Sequence, residues 1–341
     1  MNRALATLVL VFCVTLAASA ERLRVVEWNV ENLFDTCRDA GFDDREFQPE
    51  AQRRWNAPRY WTKLRWLART LATLGGDRPA ELVALCEVEN DSVLAHLTRR
   101  SLLRRLGYAY VMTHSRDPRG IDVALLYQPA RFRVLSTASI RIAPPGRHLR
   151  PTRDVLHVAG LLPSLDTLDV FVCHLPSRSG GSGAARYRMA VARRLRAAAD
   201  SLERVRSAAR ILMLGDFNTE PDESPLRAGL RARRPDVSSV GPADLYIISA
   251  DLTARDGIRG TYRYQGRWNR LDHILVNGRL LDSAQPLHLR PDGCRIAAPA
   301  FLTQPDATNG GVKPFRTFLG PRYVGGPSDH LPLVADFEWQ Q

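Results

Sequence analysis

Lysine is almost missing from this chain. Only Lys63 and Lys313 occur in 341 residues, so the formal net charge of +12 is carried by arginine. That excludes a lysine-rich basic tail. It also weakens the step from charge to partner, because an arginine skew reads as readily as coding bias as a selected polyanion surface. Cysteine is scarce too, and no spacing matches a zinc site. A second long apolar run is lacking, which excludes an integral helical membrane protein. Linkers, repeats and low-complexity tracts are absent as well, so one domain over residues 21–341 is expected.

The one long apolar run lies at the start. Arg3 precedes an apolar stretch over residues 4–16, and Ala18-Ser19-Ala20 supplies small residues for cleavage. This is the layout of a secretory signal peptide over residues 1–20, too short to span a bilayer. Cys13 sits too early, behind the bulky Phe12, for a lipoprotein signal. The mature chain is therefore expected to be exported, periplasmic or extracellular, and loss of Arg3 leaves it at +11. Cys37, Cys86, Cys173 and Cys294 remain, enough for two disulfides. Cys86 and Cys173 lie in apolar strands and read as buried thiols. Cys37 and Cys294 lie in loop-like stretches and form the favoured pair.

Apolar runs predict strands near residues 23–28, 82–86, 123–127, 155–161, 168–173, 211–214, 274–276 and 331–337. Several are apolar throughout, as expected when both faces are covered. Helical periodicity marks residues 60–74, 92–106 and 186–202, with Asp91 and Ser182 as caps for the last two. The aromatic stripe of the first helix reads as core packing.

Polar groups punctuate these strands in a regular way. Asn29, Glu87, His174 and Asp216 follow their apolar runs, whereas Asp272 and Asp329-His330 precede theirs. If the late strands run antiparallel to the early ones, all these groups reach one rim of a mixed sheet with helices outside. Each signature alone has a plainer reading: Glu87 as a strand end, Gly215-Asp216-Phe217-Asn218 as turn chemistry, Ser328-Asp329-His330 as a structural histidine. Together they gather carboxylates, amides and two histidines without thiols. That is a set for hard cations, Mg²⁺ first and Mn²⁺ or Ca²⁺ as alternatives, acting on phosphate. Asp216 and Asn218 would hold a water, Asp272 would orient His330, and His174 with Arg178 would meet a phosphoryl oxygen. Asp122, just ahead of Val123, is an expected partner for His174.

The ordered set Trp28-Asn29-Val30-Glu31-Asn32, Cys86-Glu87-Val88, His174-Leu175-Pro176-Ser177-Arg178, Gly215-Asp216-Phe217-Asn218, Arg270-Leu271-Asp272 and Ser328-Asp329-His330 resembles the endonuclease/exonuclease/phosphatase superfamily. The resemblance covers residues 25–337. It implies a four-layer α/β sandwich, two packed mixed β-sheets flanked by helices. It further implies Asn29 and Glu87 as first-strand amide and principal metal ligand, with Asp329 beside them. It leaves His174 on the phosphate, Asp216 and Asn218 on the water, and Asp272 paired with His330. Glu31 stands near a position where some nuclease members carry Asp, and is a weaker second ligand. The functional expectation is a metal-dependent phosphodiesterase, a nuclease first. A phosphatase or phospholipase C-type enzyme on inositol phosphates or lipid head groups comes second. An inactive binding protein on the same scaffold comes third. The segments over residues 174–181, 261–276 and 315–328 resemble an exported bacterial branch and not the substrate loops of the characterised nucleases or phosphatases.

Overall fold

The computed structural model describes residues 21–206, 208–236 and 240–339, so the expected signal peptide lies outside the described residues. Strands are numbered in chain order. The first sheet holds β1 (Glu21–Leu33), β2 (Leu82–Val88), β3 (Ala109–Met112), β4 (Asp122–Tyr127), β14 (Leu287–Ile296) and β19 (Leu333–Trp339), in the order β14-β19-β1-β2-β4-β3. The second holds β5 (Arg133–Ile140), β6 (Val155–Leu161), β7 (Thr167–His174), β8 (Arg210–Asp216), β9 (Ala232–Arg233), β10 (Leu245–Ile247) and β13 (Asp272–Asn277), in the order β5-β6-β7-β8-β13-β10-β9. Both sheets are mixed. β1 pairs parallel with β2 and antiparallel with β19, and β8 pairs parallel with β7 and antiparallel with β13. The late strands thus do oppose the early ones.

Side-chain alternation explains the layering. Along β7, Leu168, Val170 and Val172 join the core between the sheets, while Phe171 and Cys173 pack toward helix α3 (Gly181–Val205). β8 repeats this, with Leu212 and Leu214 inward and Ile211 and Met213 outward. On the other side, α1 (Ala57–Gly75) lays Leu64, Leu67 and Leu71 against the first sheet. Helix, sheet, sheet and helix give the expected four-layer sandwich. Gly215 is required where β7 and β8 run closest. Its φ is +144°, and a Cβ there would lie 1.8 Å from the Cys173 carbonyl oxygen.

Some local expectations change. The helix predicted over 92–106 is α-helical only in α2 (Asp91–Ala95), capped by Asn90 rather than Asp91; it continues as a wider π-helical turn (His96–Arg100) and then a 3-10 turn (Leu102–Arg105). There the Thr98 hydroxyl turns back to the Leu94 carbonyl, and Ser101 does the same to Leu97, which competes with helix continuation. α3 starts at Gly181, ahead of the expected Ser182 cap. Among the described residues all four cysteines are free thiols, and Cys294 sits inside β14 rather than in a loop, so the Cys37–Cys294 pairing is not formed. Burial raises the Cys86 and Cys173 thiols well above their ordinary range and pushes Cys294 up to about 12. The Asp35 charge raises Cys37 as well, but it is the exposed thiol, so Cys37 is the one expected to react first in native protein treated with a thiol reagent. All four should react once it is denatured, with no dependence on a reductant. Among the described residues no helix is long and apolar enough to cross a membrane.

Candidate active site

The rows of residues that fill the inter-sheet core continue upward into polar groups. On β7 the inward series 168, 170, 172 ends at His174; on β8 it ends at Asp216; on β13, Asp272 precedes Ile274 and Val276. Asp272 and Asp216 are direct partners across the β8–β13 ladder, and His174 and Asp216 are partners across β7–β8. The apolar pattern that builds the core therefore also places these three side chains on one rim. His174 and Asp216 border a cleft of about 890 Å³, and Asp272 stands behind it in contact with His330, which also lines it.

On one wall, His330 Nδ1 lies 2.7 Å from Asp272 Oδ2, an oxygen that also accepts from the Thr261 hydroxyl. With Nδ1 carrying the proton, Nε2 is left for the cleft. The His330 backbone is fixed as well, because its carbonyl accepts from Trp28 Nε1 at 3.0 Å and its amide donates to Ser328 Oγ at 3.0 Å. Burial alone would lower the imidazole, but the charge and hydrogen bond of Asp272 hold it well above its ordinary 6.5. Asp216 is raised to about 7, by burial first and by the Asp272 charge second. Its oxygens accept from Asn29 Nδ2 at 3.1 Å and from the Asn218 amide at 2.8 Å. Asn218 takes a left-handed turn (φ +48°) and donates its own amide to the Leu175 carbonyl, which ties the β7 and β8 ends together.

The opposite wall is cationic. His174 Nε2 lies 3.6 Å from Asp216 Oδ2 and 3.9 Å from Glu87 Oε1. Burial, then the charges of Arg153 and Arg119, push its imidazole well below 6.5, so it enters the cleft neutral. Asp122 does not orient it. That carboxylate accepts from the Thr113 hydroxyl at 2.5 Å and from the Ser115 amide at 3.1 Å. Arg153 is held by Asp117 at 3.0 Å and by the Leu175 carbonyl at 2.8 Å; Arg119 is held by Asn32. Arg178 reaches the cleft mouth and pairs with Glu223 at 2.9 Å.

Arg119 and Arg153 were not anticipated, yet the signal was present. They sit just ahead of β4 and β6, strands that run antiparallel to β2 and β7. Polar residues before such strands reach the same rim as Asp272 does.

For a metal, the hard oxygen donors facing the cleft are Glu87, Asp216 and Asp329. Glu87 reaches it through a bulge at the end of β2. Its φ is +66°, which turns the side chain toward the cleft, and Oε2 accepts from the Asn32 amide at 2.7 Å. Asp329 is paired with Arg316 at 2.5 Å. Asp216, Asp272 and His330 also present ligand atoms within 4.8 Å of one another, but the His330–Asp272 bond makes a relay the better description.

Two expected ligands are placed otherwise. Asn29 does not line the cleft, since its amide is used by Asp216 and by the Glu31 N–H. Glu31 is turned away by left-handed backbone at Glu31 and Asn32 (φ +48° and +55°), and its carboxylate accepts from the Thr317 and Phe318 amides. Its role is to anchor the segment that leads to His330. Lys63 completes that anchor. Its buried ammonium donates to the Glu31 and Pro327 carbonyls and to Thr317 Oγ1.

One further carboxyl lies under the site. Glu27, on the same inward row of β1 as Asn29, is wholly buried with neither oxygen hydrogen-bonded. Burial, then the charges of Asp272 and Asp216, raise it well above its ordinary 4.5, so it is held protonated. The native state then binds more protons than the unfolded chain, and this group's share of stability falls as pH rises above about 4.5. Glu27→Gln is expected to remove that share. Urea unfolding at pH 5 and pH 8 should show the variant gaining on the wild type at the higher pH; an equal difference at both would refute the buried neutral acid.

The family model described as "Endonuclease/Exonuclease/phosphatase family" matches residues 24–338. The chain belongs to this family. Its members are divalent-metal-dependent hydrolases of phosphoesters, in keeping with the acidic and histidine cluster on the rim. Solved structures of the same fold include the human Nocturnin catalytic domain with bound sulfate, at 19% identity and a TM-score of 0.55, covering 94% of this chain and 98% of that one. D. rerio TDP2 complexed with single strand DNA product has 16% identity and a TM-score of 0.55, covering 93% and 98%. The mannosyl-6-phosphatase of Bacteroides thetaiotaomicron has 14% identity and a TM-score of 0.57, covering 92% and 99%. At these identities the likeness shows the fold alone. No curated protein matches the sequence.

Proposed function

We propose that this protein is an exported, divalent-metal-dependent phosphodiesterase whose substrates are nucleic acids. The observation that carries the reading is the pairing of two opposed groups across one cleft. The His330–Asp272 dyad lies on one side of Asp216 and the neutral His174, backed by Arg119 and Arg153, on the other. Export rests on the character of residues 1–20, and the nucleic-acid preference on the arginine-lined, open cleft. The occurrence of a DNA-bound structure among proteins of the same fold supports that preference.

An ion held by Glu87 and Asp329 would offset the charge that builds on the phosphoryl oxygens. Asp216, raised to about 7, takes a proton from the attacking water; a P–O bond forms as the bond to the leaving oxygen breaks, and that oxygen departs as an alkoxide that takes a proton from solvent. His330 is held as the cation by Asp272 and donates to the phosphoryl group from Nε2. His174, uncharged, orients a second oxygen beside Arg153.

The test is turnover by the mature chain with Mg²⁺ on DNA, RNA, inositol phosphates, sugar phosphates and sphingomyelin. Cleavage of DNA or RNA that stops with EDTA is the expected result. Cleavage of monoesters or lipid alone would replace the nuclease reading with the phosphatase or phospholipase one. Specific binding without turnover under Mg²⁺, Mn²⁺ or Ca²⁺ would leave a binding protein.

A further inference from the structure

The cleft has a third side that the chemistry above does not use. Strands β11 (Tyr262–Tyr264) and β12 (Arg267–Asn269) form a hairpin closed by Gln265 and Gly266, both at positive φ (+47° and +78°), as a type I′ turn requires. Alternation sorts its residues cleanly. Tyr262, Tyr264, Arg267 and Asn269 face the cleft, while Arg263 and Trp268 face away. The away side is a brace: the buried Arg263 guanidinium donates to the Gly310 carbonyl at 2.8 Å and to that of Val312, and lies 5.6 Å from the Trp268 ring centre. The hairpin is thus a rigid wall.

The cleft side is unoccupied chemistry. Tyr262 packs on the His330 ring at 4.9 Å between centres, which fixes where the wall meets the reacting group. One step outward, Tyr264 and Arg267 are cross-strand partners. Tyr264 is 58% exposed, one of the few large hydrophobic side chains left so among the described residues. Among the described residues, neither its ring nor the Arg267 guanidinium has a stacking, hydrogen-bond or ion-pair partner. An unpartnered aromatic face and a free cation side by side, roughly 7 Å from Tyr262 by strand geometry, match a nucleoside and the phosphate next to it.

We infer that the cleft face of this hairpin is the subsite for the nucleoside adjoining the scissile phosphate, with Tyr264 under the base and Arg267 on the neighbouring phosphate. The inference rests on the phosphodiesterase reading and extends it to substrate recognition. Tyr264 and Arg267 are specificity residues, since neither reaches the reacting atoms.

Two p-nitrophenyl diesters that share a scissile bond provide the test, one carrying thymidine 5′-phosphate and the other methyl phosphate. Base–aromatic stacking of about 1–3 kcal/mol corresponds to a roughly 5–150-fold effect. Tyr264→Ala should lower the thymidine-to-methyl ratio of kcat/KM by about tenfold or more, chiefly through KM. Tyr264→Phe should restore the ratio. Equal losses on both diesters would mean a structural role and overturn the assignment, as would an unchanged ratio. Binding of a fluorescent thymidine hexanucleotide in EDTA reads the subsite without chemistry. Tyr264→Ala and Arg267→Ala should each weaken it, with Arg267→Ala also reducing its salt dependence. A wild type that binds the hexanucleotide but cleaves neither diester would sink the catalytic reading and leave the subsite standing. Failure to bind, or a Tyr264 effect confined to a p-nitrophenyl sugar phosphate, would sink the subsite itself.

Discussion

His330→Ala is expected to lower kcat on a phosphodiester about 10³-fold, and adding Asp272→Asn to it should change the rate little further. Asp272→Asn alone should cost less, on the order of 10- to 100-fold. The reason is that Asp272 does not itself line the cleft and acts there through His330. Its Oδ2 accepts from His330 Nδ1 at 2.7 Å and from the Thr261 hydroxyl behind it, and its other oxygen is buried without a partner. Removing the imidazole therefore removes what Asp272 acts on, and the two losses cannot add. The pH profile gives an independent reading. Asp272 is what holds His330 above 6.5, so Asp272→Asn should bring the limb that reports His330 down toward that value. The stability that His330 gains from its partner is fully present below pH 6.5 and is lost as pH rises through the raised value. Asp272→Asn should accordingly destabilise more at pH 6 than at high pH. Fully additive rate losses, with no movement of the profile, would mean that the dyad seen here does not function as one.

That pairing was visible in the sequence for a simple reason. Strand polarity can be read from which side of an apolar run the polar group occupies; β8 and β13 of one mixed sheet then bring Asp216 and Asp272 to the rim, and the segment entering β19 of the other brings His330 to the same rim. The main strands and the flanking helices α1 and α3 followed from the same apolar runs and periodicities, whereas their division into two packed sheets was implied only by the family resemblance. What failed to show was backbone of an unusual kind. Consecutive left-handed residues at Glu31 and Asn32 turn a carboxylate that the sequence offers to the cleft into an internal anchor. The bulge at Glu87 does the reverse, and no composition or period announces either. Arg119 and Arg153 carry the same signal, since each stands just ahead of a strand, β4 or β6, that runs antiparallel to one ending at the rim. Lys63 hid in plain view as one of two lysines. An ammonium in a helix that otherwise buries leucine has to find acceptors, and it finds them on the two segments that must be held together for His330 to stand where it does.

Glu87→Gln is expected to reduce activity at low Mg²⁺ by two or more orders of magnitude while the protein stays folded. The substitution is chosen for what it keeps. One Glu87 oxygen accepts the Asn32 N–H at 2.7 Å, and a glutamine carbonyl can do the same, so the junction of the β1 and β2 bulges should survive. What is lost is the formal charge of the carboxylate and a strong ligand oxygen facing the cleft beside His174. Hard cations lose affinity when a carboxylate becomes an amide, so the concentration of Mg²⁺ at half-maximal rate should move upward. Much of the rate should return at saturating metal, and Mn²⁺ should rescue at lower concentration than Mg²⁺, since it binds such sites more tightly. His330→Ala provides the contrast, because its loss should not be recovered by any metal concentration. Calorimetric titration of Mg²⁺ into wild type and variant, without substrate, checks the same point apart from turnover. An unchanged metal requirement would move the ion from Glu87 to the Asp216 and Asp329 side of the cleft, and the pairing of Asp329 with Arg316 would then have to open for it.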